Sequence, residues 1–240
     1  MTRVFNLSGG KSSAYMTILE KPTPDDIVLF TDTGREHPAT YQFLNEIEKQ
    51  EGFKIHRAAY THRRSPGLAG FDALTNWKRY LPNRVRRICT VELKIMVARR
   101  YLRPLIGLRF EQHIGFRADE QRQVSNYRST YKGTVTRFPL HEKGITKAMV
   151  DAFWLSKPYT LEIPPILGNC DLCFLKGKNS IIKLMALYPE LADKWIADEK
   201  RSGNTFFPDI SYEQLLAIAK SRHKDFNLEE AQPAYTCHCN

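Results

Sequence analysis

Hydrophobic residues follow two alternating periods along the first sixty positions. Residues 4–7, 27–30 and 53–56 are short apolar runs of strand length. Between them apolar residues recur with helical spacing at 14–19 and 41–47, and Gly52 supplies a stop signal. The order strand, helix, strand, helix, strand predicts parallel strands joined by right-handed crossovers. We therefore expect an α/β fold in which helices cover both faces of a parallel sheet.

The remaining pattern predicts one more strand and a helical C-terminal part. The strand is expected at 111–115, and Thr90 is placed to cap a helix that runs to about residue 102. Further helices are predicted at 71–77, 146–155, 180–188, 189–201 and 211–222. After Pro164 and Pro165 the chain changes character. We divide it into a nucleotide-binding domain, 1–163, and a helical part with cysteines, 164–240.

Composition narrows the class of protein. With 240 residues and 42% hydrophobic content, the chain can bury a full core, but it has no apolar run of membrane length. The start lacks the apolar segment of a signal peptide, which predicts a cytoplasmic protein without a membrane partner. Five cysteines then indicate metal or redox chemistry rather than a disulfide framework. The net charge of +10 favours a nucleotide or nucleic acid as partner, although a solvated basic face has the same pattern.

The turn SGGKSS, residues 8–13, lies between the first strand and the first helix. Such a turn directs backbone N–H groups and the positive end of a helix at one point, where an anion binds well. Two glycines allow close approach, Ser8 and Ser13 can donate hydrogen bonds, and Lys11 can neutralise charge. The turn TDTG, residues 31–34, lies at the same sheet edge. Phosphate binding is one interpretation, and an ordinary capped glycine turn is the other.

Five segments together carry a family resemblance. LSGGKSS resembles the PP-loop of the adenine nucleotide alpha hydrolase superfamily, although Ser12 replaces that loop's aspartate. FTDTGREHPATYQFL, RRICTVELKI and IGFRADEQRQ resemble motifs of the phosphoadenosine phosphosulfate (PAPS) reductase family, and GNCDLCFLKGK resembles the cysteine segment of its cluster-bearing members. Because Gly9 and Gly10 are both kept, the chain is closest in character to ATP-cleaving, DndC-like members. DndC is a DNA-phosphorothioation protein.

The resemblance implies a nucleotide site for ATP, with Mg²⁺. The residues that it implicates in binding are Ser8, Gly9, Gly10, Lys11, Ser12, Ser13, Asp32, Thr33, Gly34, Arg117 and Asp119. Lys11 and Arg117 would be catalytic, with Arg117 on the α-phosphate, and Asp32 would meet a ribose hydroxyl or a magnesium-bound water. Considered alone, Asp32 is also typical of an Asx-turn, and Arg117 with Asp119 of a surface ion pair.

The cysteines have three interpretations. The resemblance implies a [4Fe–4S] cluster on Cys89, Cys170, Cys173 and Cys237, which leaves the Cys239 thiol to carry sulfur as a catalytic group. Ligand chemistry alone also allows a Zn²⁺ site on Cys170, Cys173, Cys237 and either Cys239 or His238, or a redox dithiol without metal. Cys89 precedes a predicted helix in a basic setting, and we expect this setting to lower its pKa.

These features lead to a predicted function with two alternatives. We expect an enzyme that binds ATP, adenylylates an acceptor with release of pyrophosphate, and transfers sulfur carried by the cluster or by a cysteine, with a sulfur-donor protein as a further partner. The acceptor is expected to be nucleic acid, because the chain is basic, and a small metabolite is the alternative. Four aromatic residues that lie among arginines could stack on bases or belong to the core: Trp77, Tyr80, Tyr127 and Tyr131. The alternatives are a sulfonucleotide (PAPS or adenylylsulfate) reductase with a C-terminal cysteine thiol, and a non-catalytic nucleotide-sensing module.

Overall fold

Five parallel strands form the centre of the molecule. The computed structural model describes residues 1–129, 133–164, 166–168 and 170–222. The strands are β1 (Arg3–Leu7), β2 (Ile27–Asp32), β3 (Ile55–Ala59), β4 (Glu111–Ile114) and β5 (Val135–Arg137), in the order β3-β2-β1-β4-β5. All neighbouring pairs are parallel, with Phe5 opposite both Val28 and His113. The predicted parallel sheet is confirmed. The fifth strand was not predicted, because three partly exposed residues show no apolar run.

Most helices agree with the predicted segments, but two short ones, at 121–126 and 139–142, were not predicted, and Thr90 has a different role. The α-helices are α1 (Lys11–Glu20), α2 (Pro38–Glu51), α3 (Gly70–Lys78), α4 (Met96–Ile106), α5 (Gln121–Asn126), α6 (Pro139–Glu142), α7 (Lys147–Ser156), α8 (Lys178–Leu187), α9 (Ala192–Ser202) and α10 (Tyr212–Ser221). Gly52 ends α2 in the left-handed conformation, as predicted. Thr90 is not a cap, because it lies inside a π-helical segment, Cys89–Ile95, that leads directly into α4. No helix of the described ranges has the length and apolar character needed to cross a membrane.

Two hydrophobic clusters cover the two faces of the sheet. One cluster includes Phe5 of β1, Phe43 of α2 and Trp154 of α7. The other extends from Val4 to Trp195 of α9 and includes residues of α3, α4, α8 and α10. Helices from beyond residue 163 therefore complete the core on one face of the sheet. The division into 1–163 and 164–240 stays a prediction.

Candidate nucleotide-binding site

The loop between β1 and α1 is held in shape by its own side chains. Gly9 has φ +79°, and a Cβ atom there would lie 2.5 Å from Cγ2 of Thr40, so the position requires glycine. The buried Ser13 hydroxyl accepts a hydrogen bond from the Ser8 N–H at 3.0 Å and donates one to the Gly10 carbonyl at 3.0 Å. It also lies 2.9 Å from the Ser8 hydroxyl. These two hydroxyls thus fix the loop, and their predicted contact with a nucleotide stays a prediction.

The start of α1 lies at this loop. Gly10 is the N-cap with extended backbone and makes no side-chain cap hydrogen bond. The N–H groups and the positive end of a helix favour an anion such as phosphate at this position. Lys11 is the first helical residue, and its carbonyl accepts a hydrogen bond from Nε1 of Trp154 at 3.0 Å. This contact anchors the backbone beneath the loop.

Arg117 reaches the same loop from the end of β4. Gly115 lets the two segments approach, since a Cβ atom there would lie 2.7 Å from Cα of Ser13. Nη1 of Arg117 donates to Oγ of Ser12 at 2.9 Å, and Nε donates to Oδ1 of Asp119 at 3.0 Å. Ser12, Arg117 and Asp119 therefore lie together, and Nη1 of Arg117 is also 3.2 Å from Oε2 of Glu120. Their predicted contacts with a nucleotide stay predictions.

The second predicted turn has the structure of an Asx-turn. Oδ1 of Asp32 accepts hydrogen bonds from the Gly34 N–H and from the Tyr41 hydroxyl, both at 2.8 Å. Burial, followed by this bond to Asp32, raises the pKa of Tyr41. Thr33 is buried and donates to Oε1 of Glu36 at 2.9 Å. The roles of Asp32, Thr33 and Gly34 toward ribose or Mg²⁺ stay predictions.

A cavity of about 260 Å³ lies beside the loop, at the carboxyl ends of β1, β2 and β4. Its walls combine apolar and polar side chains: Leu7, Ser8, Leu29, Thr31, Lys94, Ile95, Ala98, Gln112, Ile114 and Tyr127 are among them. The Tyr127 hydroxyl donates to Oε1 of Gln112 at 3.1 Å. Small-molecule sites have this mixture of apolar walls and a few polar groups. Sequence reasoning missed Gln112 and Ile95, because strand and helix residues of these types are typical of a core.

A buried ion-pair network supports the turn after β2. Arg35 is buried, and its Nη2 contacts Asp72 of α3 at 2.9 Å and Asp198 of α9 at 2.6 Å. Beside it, Oε2 of Glu36 is buried without a hydrogen-bond partner in the described residues. Burial raises the pKa of Glu36 to about 7, against the opposing charge of Lys94. Sequence reasoning missed this network, because Asp72 and Asp198 lie 37 and 163 positions from Arg35.

Two of the predicted metal-binding cysteines lie together. The Cys170 and Cys173 thiols share a hydrogen bond, which lowers the pKa of Cys173 to about 7. Buried Lys176 donates to the backbone carbonyls of Cys170, Leu167 and Asp171, and so orders the turn that carries both thiols. Soft sulfur donors of this kind suit iron or zinc. In the described ranges, however, no three His, Cys, Asp or Glu side chains come together as a metal site.

The pKa of Cys89, the third predicted metal ligand, differs from the expectation. Burial, and next the neighbouring Cys173, raise the pKa of the Cys89 thiol. The expectation that its basic setting would lower this pKa was therefore wrong, because loss of solvation outweighs the nearby cations. Cys237 and Cys239 lie outside the described residues, and so does Tyr131.

Comparisons with known proteins agree with these motifs. The chain is 28% identical over 206 residues to the uncharacterized nin region protein ORF290 of Escherichia phage lambda, over 75% of this chain and 68% of that protein. A crystal structure of phosphoadenylyl-sulfate (PAPS) reductase from Candida auris, in complex with phosphate, is 16% identical and covers 66% of this chain and 75% of its own, with a TM-score of 0.48. Residues 2–157 match the model of the phosphoadenosine phosphosulfate reductase domain. The chain therefore belongs to the PAPS reductase domain family, whose members are nucleotide-binding enzymes.

Proposed function

We propose that this chain is an ATP-dependent adenylyl and sulfur transferase of the DndC-like branch. The observation that carries this proposal is that the start of α1, whose first residue is Lys11, and the guanidinium of Arg117 meet at one loop. Arg117 is held on Ser12 at 2.9 Å and also pairs with Asp119 and Glu120. Because the loop serines satisfy one another, the loop keeps its shape before a phosphate binds.

Stabilisation of negative charge would be the main catalytic effect in the first step. An acceptor oxygen attacks the α-phosphorus of ATP, the bond to the β-phosphate oxygen breaks, and pyrophosphate leaves. Lys11 and the start of α1 would stabilise the charge on the leaving group, while Arg117 would stabilise the α-phosphate. Mg²⁺ would accompany the nucleotide, near Asp32. The acceptor becomes reactive because AMP is a far better leaving group than an oxide or hydroxide.

Sulfur would enter in the second step. The outer sulfur of a persulfide, on Cys239 or on a donor protein, attacks the activated atom, and AMP leaves with the acceptor oxygen. A second thiol then breaks the sulfur–sulfur bond of the product and forms a disulfide with the carrier. We propose nucleic acid as the acceptor, because the chain has a net charge of +10.

A [4Fe–4S] cluster on Cys89, Cys170, Cys173 and Cys237 is part of the proposal, with Zn²⁺ as the alternative. The interacting pair Cys170 and Cys173 on one turn supports it, and such a cluster would supply sulfide chemistry. Iron, acid-labile sulfide and zinc should be measured on anaerobically purified protein, for the wild type and a Cys237→Ala, Cys239→Ala variant. Iron and sulfide that disappear in the variant would support the tail as ligand. Zinc alone would refute the cluster.

Nucleotide binding provides the direct test of the ATP site. Lys11→Ala removes one charge-assisted contact of about 1.5–3 kcal/mol, so the Kd for ATP should rise roughly 10- to 100-fold. The matched control is Lys49→Ala, at an exposed position in the last turn of α2, which should leave the Kd unchanged. Titration calorimetry with ATP, AMP and PAPS measures both. The proposal fails if Lys11→Ala and Lys49→Ala bind ATP equally.

The second candidate is a sulfonucleotide reductase, and family membership favours it. A tail thiolate would attack the sulfate sulfur, the sulfur–oxygen bond to the nucleotide phosphate would break, and the nucleotide would leave. A dithiol reductant would then release sulfite from the cysteine S-sulfonate and become a disulfide. Release of sulfite from PAPS or adenylylsulfate, without release of pyrophosphate from ATP, would support the reductase and refute the transferase. Tight nucleotide binding without turnover in either assay would instead support a sensing module.

A further inference from the structure

The positive charge of the chain is concentrated in one segment, residues 60–106. It contains eleven Lys and Arg and two acidic residues, so its net charge of +9 accounts for nearly all of the chain's +10. The two acids are Asp72 and Glu92, and both already form ion pairs, with Arg35 and Lys78 respectively. Eight arginines of this segment are exposed: Arg63, Arg64, Arg79, Arg84, Arg86, Arg99, Arg100 and Arg103. The segment therefore attracts a polyanion.

Aromatic rings and guanidinium groups stack within this basic segment. The rings of His62 and Trp77 are 4.3 Å apart and inclined by 14°, and those of Tyr60 and His62 are 6.3 Å apart and inclined by 4°. Cζ of Arg64 lies 4.4 Å from the centre of the Trp77 ring, and Cζ of Arg100 lies 5.7 Å from that of Tyr60. We name these five residues the stacking column. The loop after β3, helix α3 and helix α4 each contribute to it.

The stacking column is buried at one end and accessible at the other. Tyr60 is buried, His62 and Trp77 are half-buried, and Arg64 is exposed. Loss of solvation, followed by the neighbouring cations, lowers the pKa of His62. Its ring is therefore uncharged near pH 7, when it can stack as a neutral aromatic.

We propose that the stacking column binds a base of a single-stranded nucleic acid, with the surrounding arginines on its phosphates. Arg64 covers the Trp77 ring only through an exposed cation–π contact, which is weaker than stacking of a base on tryptophan. A base can therefore displace the guanidinium, which then turns to a phosphate. Bases in a duplex are already stacked on one another, so the column distinguishes a single strand from a duplex, whereas charge alone does not.

Helix α4 and the segment before it contribute to both the stacking column and the candidate nucleotide cavity. Lys94 and Ile95 end the π-helical segment and line the cavity, and the continuing helix α4 carries Arg100 onto Tyr60. A strand bound on the column would thus lie next to the helix that forms one cavity wall. The role of this strand as the sulfur acceptor rests on the proposed function, whereas its binding to the stacking column does not.

Intrinsic fluorescence tests the proposal at one position. Of the three tryptophans, Trp154 and Trp195 are 2% and 1% exposed, so quenching by added bases reports on Trp77. Without any nucleotide present, oligothymidylate of about 20 residues should quench this fluorescence. By polarisation of a labelled strand, Trp77→Leu should weaken binding about tenfold, and Trp77→Phe should restore most of it. Lys49→Ala should change neither measurement.

Two further readouts separate stacking from simple charge. An Arg63→Gln, Arg99→Gln variant should reduce the slope of log K against log salt by about 0.7 for each phosphate that the protein no longer neutralises. The proposal is overturned if a duplex of equal length, or heparin, binds as tightly as the single strand, or if Trp77→Leu and Trp77→Phe bind like the wild type. Strand binding without release of pyrophosphate from ATP would leave the column in place and refute only the proposed function.

Discussion

The buried pair of Arg35 and Asp198 connects the turn after β2 to helix α9. Its Nη2–Oδ2 distance is 2.6 Å, and the two side chains are 2% and 0% exposed. Asp72 is the second partner of Arg35, at 2.9 Å, but its side chain is 39% exposed. The pair joins parts of the chain that lie far apart in the sequence, so its loss should lower the free energy of global unfolding.

Substitution of Asp198 by alanine leaves the Arg35 guanidinium buried with one partner fewer. Its Nε already has no hydrogen-bond partner in the described residues. Removal of one member of a buried pair costs about 3–5 kcal/mol. Since Asp72 still neutralises part of the charge, we expect the lower end, about 3 kcal/mol. For a chain of this size, Tm changes by about 2–4 °C for each kcal/mol, so Asp198→Ala should lower Tm by roughly 6–12 °C.

Urea unfolding followed by circular dichroism measures this free energy. The matched control is Asp209→Ala, which removes an ion pair with Lys178 where Asp209 is 64% exposed, and its effect should be below about 1 kcal/mol. An Arg35→Met, Asp198→Leu variant should cost less than Asp198→Ala, because it leaves no unpaired buried charge at this pair. Equal unfolding midpoints for Asp198→Ala and Asp209→Ala would refute the reasoning.

Three further predictions concern the loop and the acid stability of the chain. Gly9→Ala would place a Cβ atom 2.5 Å from Thr40 at a positive φ, so it should destabilise the fold by about 1–3 kcal/mol. It should also raise the Kd for ATP in calorimetry, and an unchanged Tm and Kd would contradict this strain. Ser12→Ala removes the acceptor that holds Arg117, so ATP affinity should fall several-fold while Tm stays within about 2 °C; a matching loss of Tm would show a structural role instead. Burial raises the pKa of Asp26, but hydrogen bonds from Arg3 and Thr23 outweigh burial and lower this pKa to about 2. The ionised Asp26 therefore stabilises the fold above about pH 4, and this stabilisation is lost toward pH 2. Asp26→Asn should remove about 2 kcal/mol of that acid dependence in urea unfolding at pH 5 to 2, and an identical pH profile for both proteins would contradict the assignment.

The sequence determined the first four strands, most of the helices and the location of the loop between β1 and α1. Apolar runs and helical spacing are local signals, so they predicted β1 to β4 and the turn that contains Gly9 and Gly10. Parallel strands end at one edge of a sheet, so the loops after β1 and β4 were expected at the same edge, but the contact of Ser12 with Arg117, 105 positions apart, depends on the adjacency of β1 and β4. The family resemblance of residues 2–157 is likewise a property of the motifs.

Only the tertiary structure decided which polar groups already have partners within the protein and which elements meet. The Ser13 hydroxyl is used within the loop, and Arg35 pairs with Asp198 from 163 positions away. Burial, which no local pattern reports, raised the pKa of Cys89 where the basic sequence predicted the opposite. The stacking of Trp77 on His62 also depends on the packing of α3 beside the loop after β3. These properties arise from desolvation and from contacts between distant segments, and both exist only once the chain has folded.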